Sequence, residues 1–356
     1  MKVCILGDGL SSLTLAGALL NQNIQVDIGI KNRLKINKSR TIGISKSNFE
    51  YINKYIVNIN NISWKLKKIE IFSDNLVNEK LLNFESSQEY LFSIVRNEEF
   101  YKILEKKILK NKFFKRIKFN NPSVLKNYDL VINTDLSNLI TKRYFNKKII
   151  KKYNSIAHTT ILKHESISNR SAIQIFTKSG PIAFLPISKN ETSVVYSLNN
   201  LKLIKSENIE DLIQKYNFKY KIKKIKSIEK FELKSLNLRS YYYKNILAFG
   251  DLLHRIHPLA GQGFNMTIRD IIFLSKIIKD KIDLGLSLDS SVNSEFEKSL
   301  RHRNFLFSNG IDLIHEFFNF ERKLDNNFLS KSVKLLGKNY SINNMFKKIA
   351  DKGIEF

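Results

Sequence analysis

The sequence predicts an α/β (α+β) fold: a dinucleotide-type domain interleaved with an antiparallel β-sheet domain, followed by a helical C-terminal region. Three observations predict it. A short apolar strand runs straight into a glycine turn and a helix at the N-terminus, Lys2–Leu6 into Gly7-Asp8-Gly9. A second strand, turn and helix recur far along the chain, from Ile246–Phe249 through Gly250-Asp251 to Gly261-Gln262-Gly263. Between them lie runs of alternating apolar residues, the period-2 pattern of strands that bury one face.

In the first unit, Leu13, Ala16, Leu19 and Leu20 give the helix its apolar face, and Gln25–Ile30 reads as the second strand. Strand, glycine turn and helix form the dinucleotide-binding fingerprint: glycines let backbone approach a pyrophosphate, and the helix N-terminus favours its charge. Ser12 stands where a third glycine is usual and is small enough for close helix–strand packing. An acid is usual at the end of the second strand, but the chain has Gly29-Ile30-Lys31; Asp27 lies inside the strand and substitutes poorly.

In the second unit, Asp251 sits at the carboxyl end of a buried strand, where open α/β sheets bind their ligands. Pro258 precedes Gly261-Gln262-Gly263-Phe264-Asn265, and Ile268, Ile271, Ile272 and Ser275 continue as a helix. Two glycines at a helix start suit close approach to an anionic group.

The middle of the chain reads as a helix over Ser47–Val57 and strands over Ile69–Ser73 and Tyr90–Val95, the latter expected to cross into the sheet domain. A helix follows with Asn97 as its cap, and Tyr128–Asp135 is a buried strand ending in an acid. Strands are expected over Ser155–His164, Ala172–Thr177, Gly180–Ile187, Thr192–Leu198 and Ile228–Leu238, with a short helix over Ile209–Tyr216. His158 and His164 lie within this sheet and read as structural. After Ile278 the chain is helical, and Phe317, Phe318 and Phe320 read as core, with docking on a membrane or partner as the alternative.

The formal net charge of the 356 residues is +27, from 60 Lys+Arg against 33 Asp+Glu. Such a charge suits an anionic partner. The lysines are scattered among Asn and Ile, however, and no helix-turn-helix, finger or aromatic RNA-binding signature accompanies them, so nucleic acid is not expected as a partner. The single cysteine, Cys4, excludes an internal disulfide framework and reads as a buried small hydrophobe. No metal-ligand spacing is present. Asp8 and the paired glycines argue against reading the N-terminus as a signal peptide, and no apolar run reaches the roughly 18 residues that span a bilayer. The expected location is cytoplasmic, peripheral to the inner membrane at most.

The run Gly250-Asp251, His254, His257-Pro258-Leu259-Ala260-Gly261-Gln262-Gly263-Phe264-Asn265 and Arg269-Asp270 resembles the second flavin-binding motif of the FAD-dependent aromatic-ring monooxygenases, in the form found in the ubiquinone-biosynthesis hydroxylases. The resemblance implies a p-hydroxybenzoate-hydroxylase-like fold, with a Rossmann-like FAD-binding domain (residues 1–75, 97–153 and 241–290), a substrate β-sheet domain (76–96 and 154–240) and a helical C-terminal region (291–356). Carried over by position, the cofactor-binding residues are Gly7, Gly9, Ser12, Arg40, Asp135, Gly250, Asp251, Pro258, Gly261, Gly263, Phe264 and Asn265. Asp251 falls to the ribityl chain, Pro258 to the isoalloxazine face, and Gly261, Gln262 and Gly263 to its pyrimidine edge, so the catalytic edge is Pro258 with Gly261 to Gly263. Arg40 matches the arginine of an "R-x-x-x-L-S" segment, and Arg96 lies one or two positions before the place of a second FAD-contacting arginine. Asp135 matches an Asp-Gly site for FAD and pyridine nucleotide, although Leu136 and Asn138 depart from the pattern; Arg143 corresponds to the arginine that follows.

The implied activity is hydroxylation of the aromatic ring of a polyprenylated phenol in ubiquinone biosynthesis, through a C4a-hydroperoxide of the reduced flavin, with NADPH or NADH as transient reductant and O2. The implied partners are the polyprenylphenol, other ubiquinone-biosynthesis proteins and the membrane surface. Two other readings stay open: a related hydroxylase acting on another aromatic compound, and a noncatalytic FAD-binding subunit of the biosynthetic assembly.

Overall fold

The computed structural model describes the chain except residues 32, 34–35, 37, 75–78, 87–88, 200–207, 259–260, 325–327 and 355–356, together with the side chains of 319, 322–324 and 328–329. Its helices, in chain order, are α1 (Leu10–Leu20), α2 (Lys46–Tyr51), α3 (Asn97–Ile108), α4 (Leu139–Tyr144), α5 (Ile209–Lys215) and α6 (Gln262–Asp283). α7 (Ser290–Leu324), α8 (Phe328–Lys338) and α9 (Tyr340–Lys352) follow.

The two glycine units meet in one sheet. Strand Lys2–Leu6 pairs in parallel with Gln25–Ile30 on one side and with Leu130–Asn133 on the other. Ile246–Ala248 adds in parallel beyond Leu130–Asn133, and Phe114–Lys118 beyond Gln25–Ile30. Strands buried on both faces need apolar residues throughout, and Val3 to Leu6, Leu130 to Ile132 and Leu247 to Phe249 are essentially inaccessible. Because the strand order departs in both directions from Lys2–Leu6, a crevice opens at the carboxyl ends of the strands there. Cys4 lies inside this core, where burial pushes its thiol up to about 12, so it acts as a small hydrophobe.

A nine-stranded sheet is built around the long strand Lys148–His164, with Glu229–Leu238 on one side and Glu191–Asn199 on the other. It is antiparallel apart from one pair, Lys68–Ser73 beside Ser171–Thr177. A third sheet joins Thr41–Ser45, Phe92–Arg96 and Ser63–Leu66.

Several elements differ from the sequence reading. Phe92–Arg96 does not pair into the large sheet; it is the central strand of the small one, with Ile94 opposite Gly43 and Trp64 and Val95 opposite Ile42 and Ser63. Strand Lys68–Ser73 does belong to the large sheet, and so do His254–Arg255 of the second glycine unit. The sheets therefore cut across the expected boundaries at residues 75, 96, 153 and 241. A period-2 pattern fixes which face is buried but not which neighbour supplies the hydrogen bonds. The helix expected over Ser47–Val57 is α2 followed by a π-helical turn, Ile52–Ile56. Arg96 rather than Asn97 occupies the cap position of α3. Of the three C-terminal phenylalanines, Phe318 is buried and stacks on Phe176 at 3.7 Å, Phe317 packs beside it, and Phe320 is exposed.

The sheet histidines are structural in geometry. His164 bonds the Glu165 carbonyl at 2.7 Å and the Thr192 hydroxyl at 2.9 Å. His158 is buried between Tyr196 and Lys230 on neighbouring strands, and burial, then the Lys230 charge, holds its pKa below the ordinary 6.5. The unfolded chain therefore takes up this proton first, and stability falls as pH drops below about 6.5, by at most about 1.4 kcal/mol per pH unit. His158→Gln is expected to reduce the loss of urea midpoint between about pH 7.5 and about pH 5; an unchanged loss would exclude His158 as a source of acid sensitivity.

Candidate cofactor site

The N-terminal cradle is set by Gly7. Its φ of +118° is open to glycine but strained for other residues, and a Cβ there would lie 2.3 Å from the Thr134 hydroxyl. Ser12, buried in the first turn of α1, bonds that hydroxyl at 2.7 Å, and Thr134 in turn donates to the Leu6 carbonyl. The serine in place of the third glycine is thus part of the helix–strand junction. Gly9 is different: its φ is an ordinary −83°, and a Cβ would meet nothing within 4 Å. Its lack of a side chain keeps space open in front of the α1 N-terminus.

The second glycine unit is brought against the first. A Cβ on Gly250 would lie 3.0 Å from the Ser11 Cβ. Asp251, at the end of the Ile246–Ala248 strand, is exposed at this junction, with Arg255 4.0 Å away. Pro258 is half-buried; Leu259 and Ala260 lie outside the described residues.

Gly261 caps α6 in the left-handed conformation, φ +63°. It is seated 3.6 Å from the Gly43 Cα of strand Thr41–Ser45, measured from where its Cβ would be. Asn265 locks this seat. Its buried side-chain nitrogen donates to the Gly43 and Gly261 carbonyls at 2.9 and 3.0 Å, and its oxygen accepts from the Ser45 N–H and the Asn48 amide, both at 2.9 Å. The side chain carried over as a cofactor residue is therefore fully engaged in building the α6 start. Gln262 is the opposite case: it is 2% exposed, and neither its amide oxygen nor its nitrogen has a partner among the described residues. An unpaired buried amide is costly, so a polar ligand edge at this helix start fits what is present. Phe264 packs edge-on against Phe100 of α3 at 6.0 Å.

The loop between Asp251 and Gly261 is pinned from below. His254 meets Asp270 of α6 at 2.5 Å, and Asn304 of α7 donates to the other Asp270 oxygen at 3.1 Å; all three are buried.

Other expected residues are placed less centrally. Arg40 is exposed at the entry to strand Thr41–Ser45. Arg96 pairs with Glu191 of the large sheet and with Glu99. Asp135 follows Thr134 at the rim of the N-terminal cradle, but one of its oxygens accepts from Ser137, from the N–H at 2.8 Å and the hydroxyl at 2.7 Å. Leu136 and Asn138 thus belong to a turn in which Asn138 caps α4. Asp27 is occupied by Tyr128 and Lys2.

Sequence reasoning missed a partly buried ion network behind the first cradle. Arg116 bridges Asp8 of the glycine turn at 2.9 Å and Glu105 of α3 at 2.8 Å. The unusual Asp8 between the glycines was the available signal, but nothing in the spacing pointed to Arg116. It also missed Gly43 and Asn48.

With this geometry in place, comparison with known proteins is informative. The squalene epoxidase family model matches residues 141–305. The p-nitrophenol 4-monooxygenase PnpA of Pseudomonas putida superposes with a TM-score of 0.76 at 10% identity, covering 99% of this chain and 98% of that one. Klebsiella pneumoniae HpxO, solved with FAD and uric acid, gives 0.76 at 12% identity, over 99% and 96%. The chain has the fold of the FAD-dependent aromatic hydroxylases. By sequence it is related to the zebrafish (Danio rerio) ubiquinone biosynthesis monooxygenase COQ6, 25% identical over 232 residues, 53% of this chain and 48% of the relative. It is also related to the Escherichia coli 3-demethoxyubiquinol 3-hydroxylase, 30% identical over 156 residues, 42% and 40% of the two chains. The chain thus spans about half the length of the curated relatives it matches, or less.

Two substitutions separate ligand approach from folding. Gly9→Ala fits the backbone and meets no atom, so its thermal midpoint is expected to match the parent while FAD affinity, read by flavin fluorescence titration, falls by at least about tenfold. Equal affinity would mean that nothing approaches the α1 start at Gly9. Asn265→Ala strands the buried Ser45 N–H and two carbonyls, and should cost about 3 kcal/mol in urea unfolding; a cost below about 1 kcal/mol would show that the α6 seat is held by other contacts.

Proposed function

We propose that the protein is an FAD-dependent monooxygenase that hydroxylates the aromatic ring of a polyprenylated phenol in ubiquinone biosynthesis, using NADH or NADPH and O2. The observation that carries this reading is the convergence of two glycine units about 240 residues apart in sequence on one crevice at the carboxyl ends of the central strands. The sequence relatives named for ubiquinone biosynthesis support the substrate class.

In this reading Gly7, Gly9 and the α1 N-terminus receive the pyrophosphate, where backbone N–H groups and the helix dipole favour negative charge. Asp251 offers a carboxylate to ribityl hydroxyls. The first N–H groups of α6, at Gln262 and Gly263, have no partner within the helix and face the pyrimidine edge, joined by the unpaired Gln262 amide. They stabilise negative charge that develops on that edge, because the dipoles are fixed before the reaction and need no reorganisation. Bound FAD supplies the redox chemistry and the activation of oxygen. The chain orients it and keeps water out, with Pro258 covering one face.

Anaerobic mixing tests the reading. The purified protein should be yellow, and NADH or NADPH should bleach the flavin at least about tenfold faster when a short-chain polyprenylphenol is present, since the substrate completes the site. A protein that takes up no FAD would overturn the cofactor assignment. Bound flavin that neither pyridine nucleotide reduces would contradict the proposed reductant and favour another electron donor or the noncatalytic subunit.

A further inference from the structure

His254 fastens the start of the Asp251–Gly261 loop to α6, but Pro258 lies further along the loop. What fixes Pro258 is the residue just before it. Proline locks its own φ and confines the preceding residue to extended backbone, so an anchored His257 leaves the Pro258 ring little freedom. His257 is wholly buried. Its anchor is a cluster of side chains from the large sheet and α7 that has no part in the crevice itself.

Three rings meet in this cluster. Tyr153, on strand Lys148–His164 of the large sheet, stands edge-on to His257, with ring centroids 4.9 Å apart and planes at 86°. His315 of α7 lies 4.4 Å from His257 and 5.0 Å from Tyr153, so each ring touches the other two. Tyr153 is aimed from its far end: its hydroxyl donates to Oδ1 of Asp312, one turn before His315 on α7. Burial, and then the Asp312 bond, raises the Tyr153 phenol above its ordinary pKa of 10, so the hydroxyl keeps its proton and remains the donor. Burial also raises the Asp312 carboxyl, while the Tyr153 bond and the Lys151 charge oppose that rise. Tyr153, His315 and Asp312 are all buried, and the more exposed Lys151 and Glu316 pair at 2.9 Å at the outer end.

From this geometry we infer that Tyr153 is a positioning residue for the cofactor site: held by Asp312, its ring seats His257 and thereby sets Pro258 against the flavin face. The inference rests on the proposed placement of FAD in the crevice. It makes the large sheet, which in that reading belongs to the substrate, part of the flavin's own support. Rings packed against one another in a dry interior have one arrangement, because any shift opens a void or a clash. Displacing the Tyr153 ring therefore displaces His257 and the proline after it, and misplacement by about 1 Å near a reacting centre costs on the order of a hundredfold in rate. A cluster that merely stabilised the fold would leave the flavin unaffected as long as the chain stayed folded.

Flavin fluorescence titration and the visible spectrum of the bound flavin distinguish the two without any turnover. Tyr153→Phe keeps the ring and loses its aim, and Tyr153→Leu loses the ring as well. Tyr220→Phe is the control: it breaks a buried bond in the same domain, to Asn169 at 3.0 Å, within a separate apolar cluster. Tyr153→Phe should bind FAD at least about threefold more weakly and Tyr153→Leu at least about tenfold, both with a shifted flavin band. Tyr220→Phe should lower the urea midpoint while its FAD affinity and spectrum match the parent. If Tyr153→Leu does not fold, Tyr153→Phe alone decides, since it nearly preserves the side-chain volume. Parent-like affinity and spectrum in the folded Tyr153 variants would overturn the inference and leave FAD binding intact. So would a loss of affinity in Tyr220→Phe as large as in Tyr153→Phe, which would trace both to stability. A parent that binds no FAD would overturn the cofactor reading itself, and this inference with it.

Discussion

The structure depends most on the side chain of Asn265. One buried amide satisfies a carbonyl of the α6 turn, a carbonyl and an N–H of strand Thr41–Ser45, and the amide of Asn48. Glycine takes the left-handed cap without strain, but the direction of the helix start still has to be fixed, and here the fixing element belongs to a strand more than 200 residues earlier. The helix start therefore points into the crevice at a set angle. With it go the N–H groups of Gln262 and Gly263 and the unpaired Gln262 amide, held before any ligand arrives.

The remaining architecture keeps that start opposite the N-terminal cradle. Parallel pairing places Leu6, Asn133 and Ala248 at one level, so the turns that follow each strand crowd together. Gly250 can then approach Ser11, and Gly7 can approach Thr134. The His254–Asp270–Asn304 set fastens the loop between the two regions to α6 and α7. Three buried polar groups bonded to each other cost little, whereas one left alone would be expensive. The C-terminal hairpin closes the outside of the same region through Asp351 and Ser47, which couples the chain's last helices to the strand that seats Gly261.

Much of this was legible in the sequence. Both strand–glycine–helix units lie where apolar runs and turn residues put them, because buried parallel strands and helix-start glycines leave strong local signals. The individual strands of the large sheet were also readable from their period-2 pattern. Sheet membership was not: Lys68–Ser73 and Phe92–Arg96 carry similar patterns, yet one pairs with Ser171–Thr177 and the other with Thr41–Ser45. The role of Asn265 was hidden for a related reason. Its position after Gly-Gln-Gly suggested ligand contact, while its partners are backbone groups whose nearness only the fold creates. Arg116, bound to Asp8 and Glu105, left no spacing signal at all.

The central claim is that the two glycine units form one FAD cradle with Gln262 at the flavin's polar edge. The most direct test is a crystal structure of the chain with FAD. The account predicts the pyrophosphate at Gly7–Gly9 and the pyrimidine edge within hydrogen-bonding distance of the Gln262 amide and the first N–H groups of α6, with Asn265 keeping its protein partners. A flavin bound away from α6, or Asn265 turned out of its seat to hold the cofactor while Gln262 stays unpaired, would contradict it.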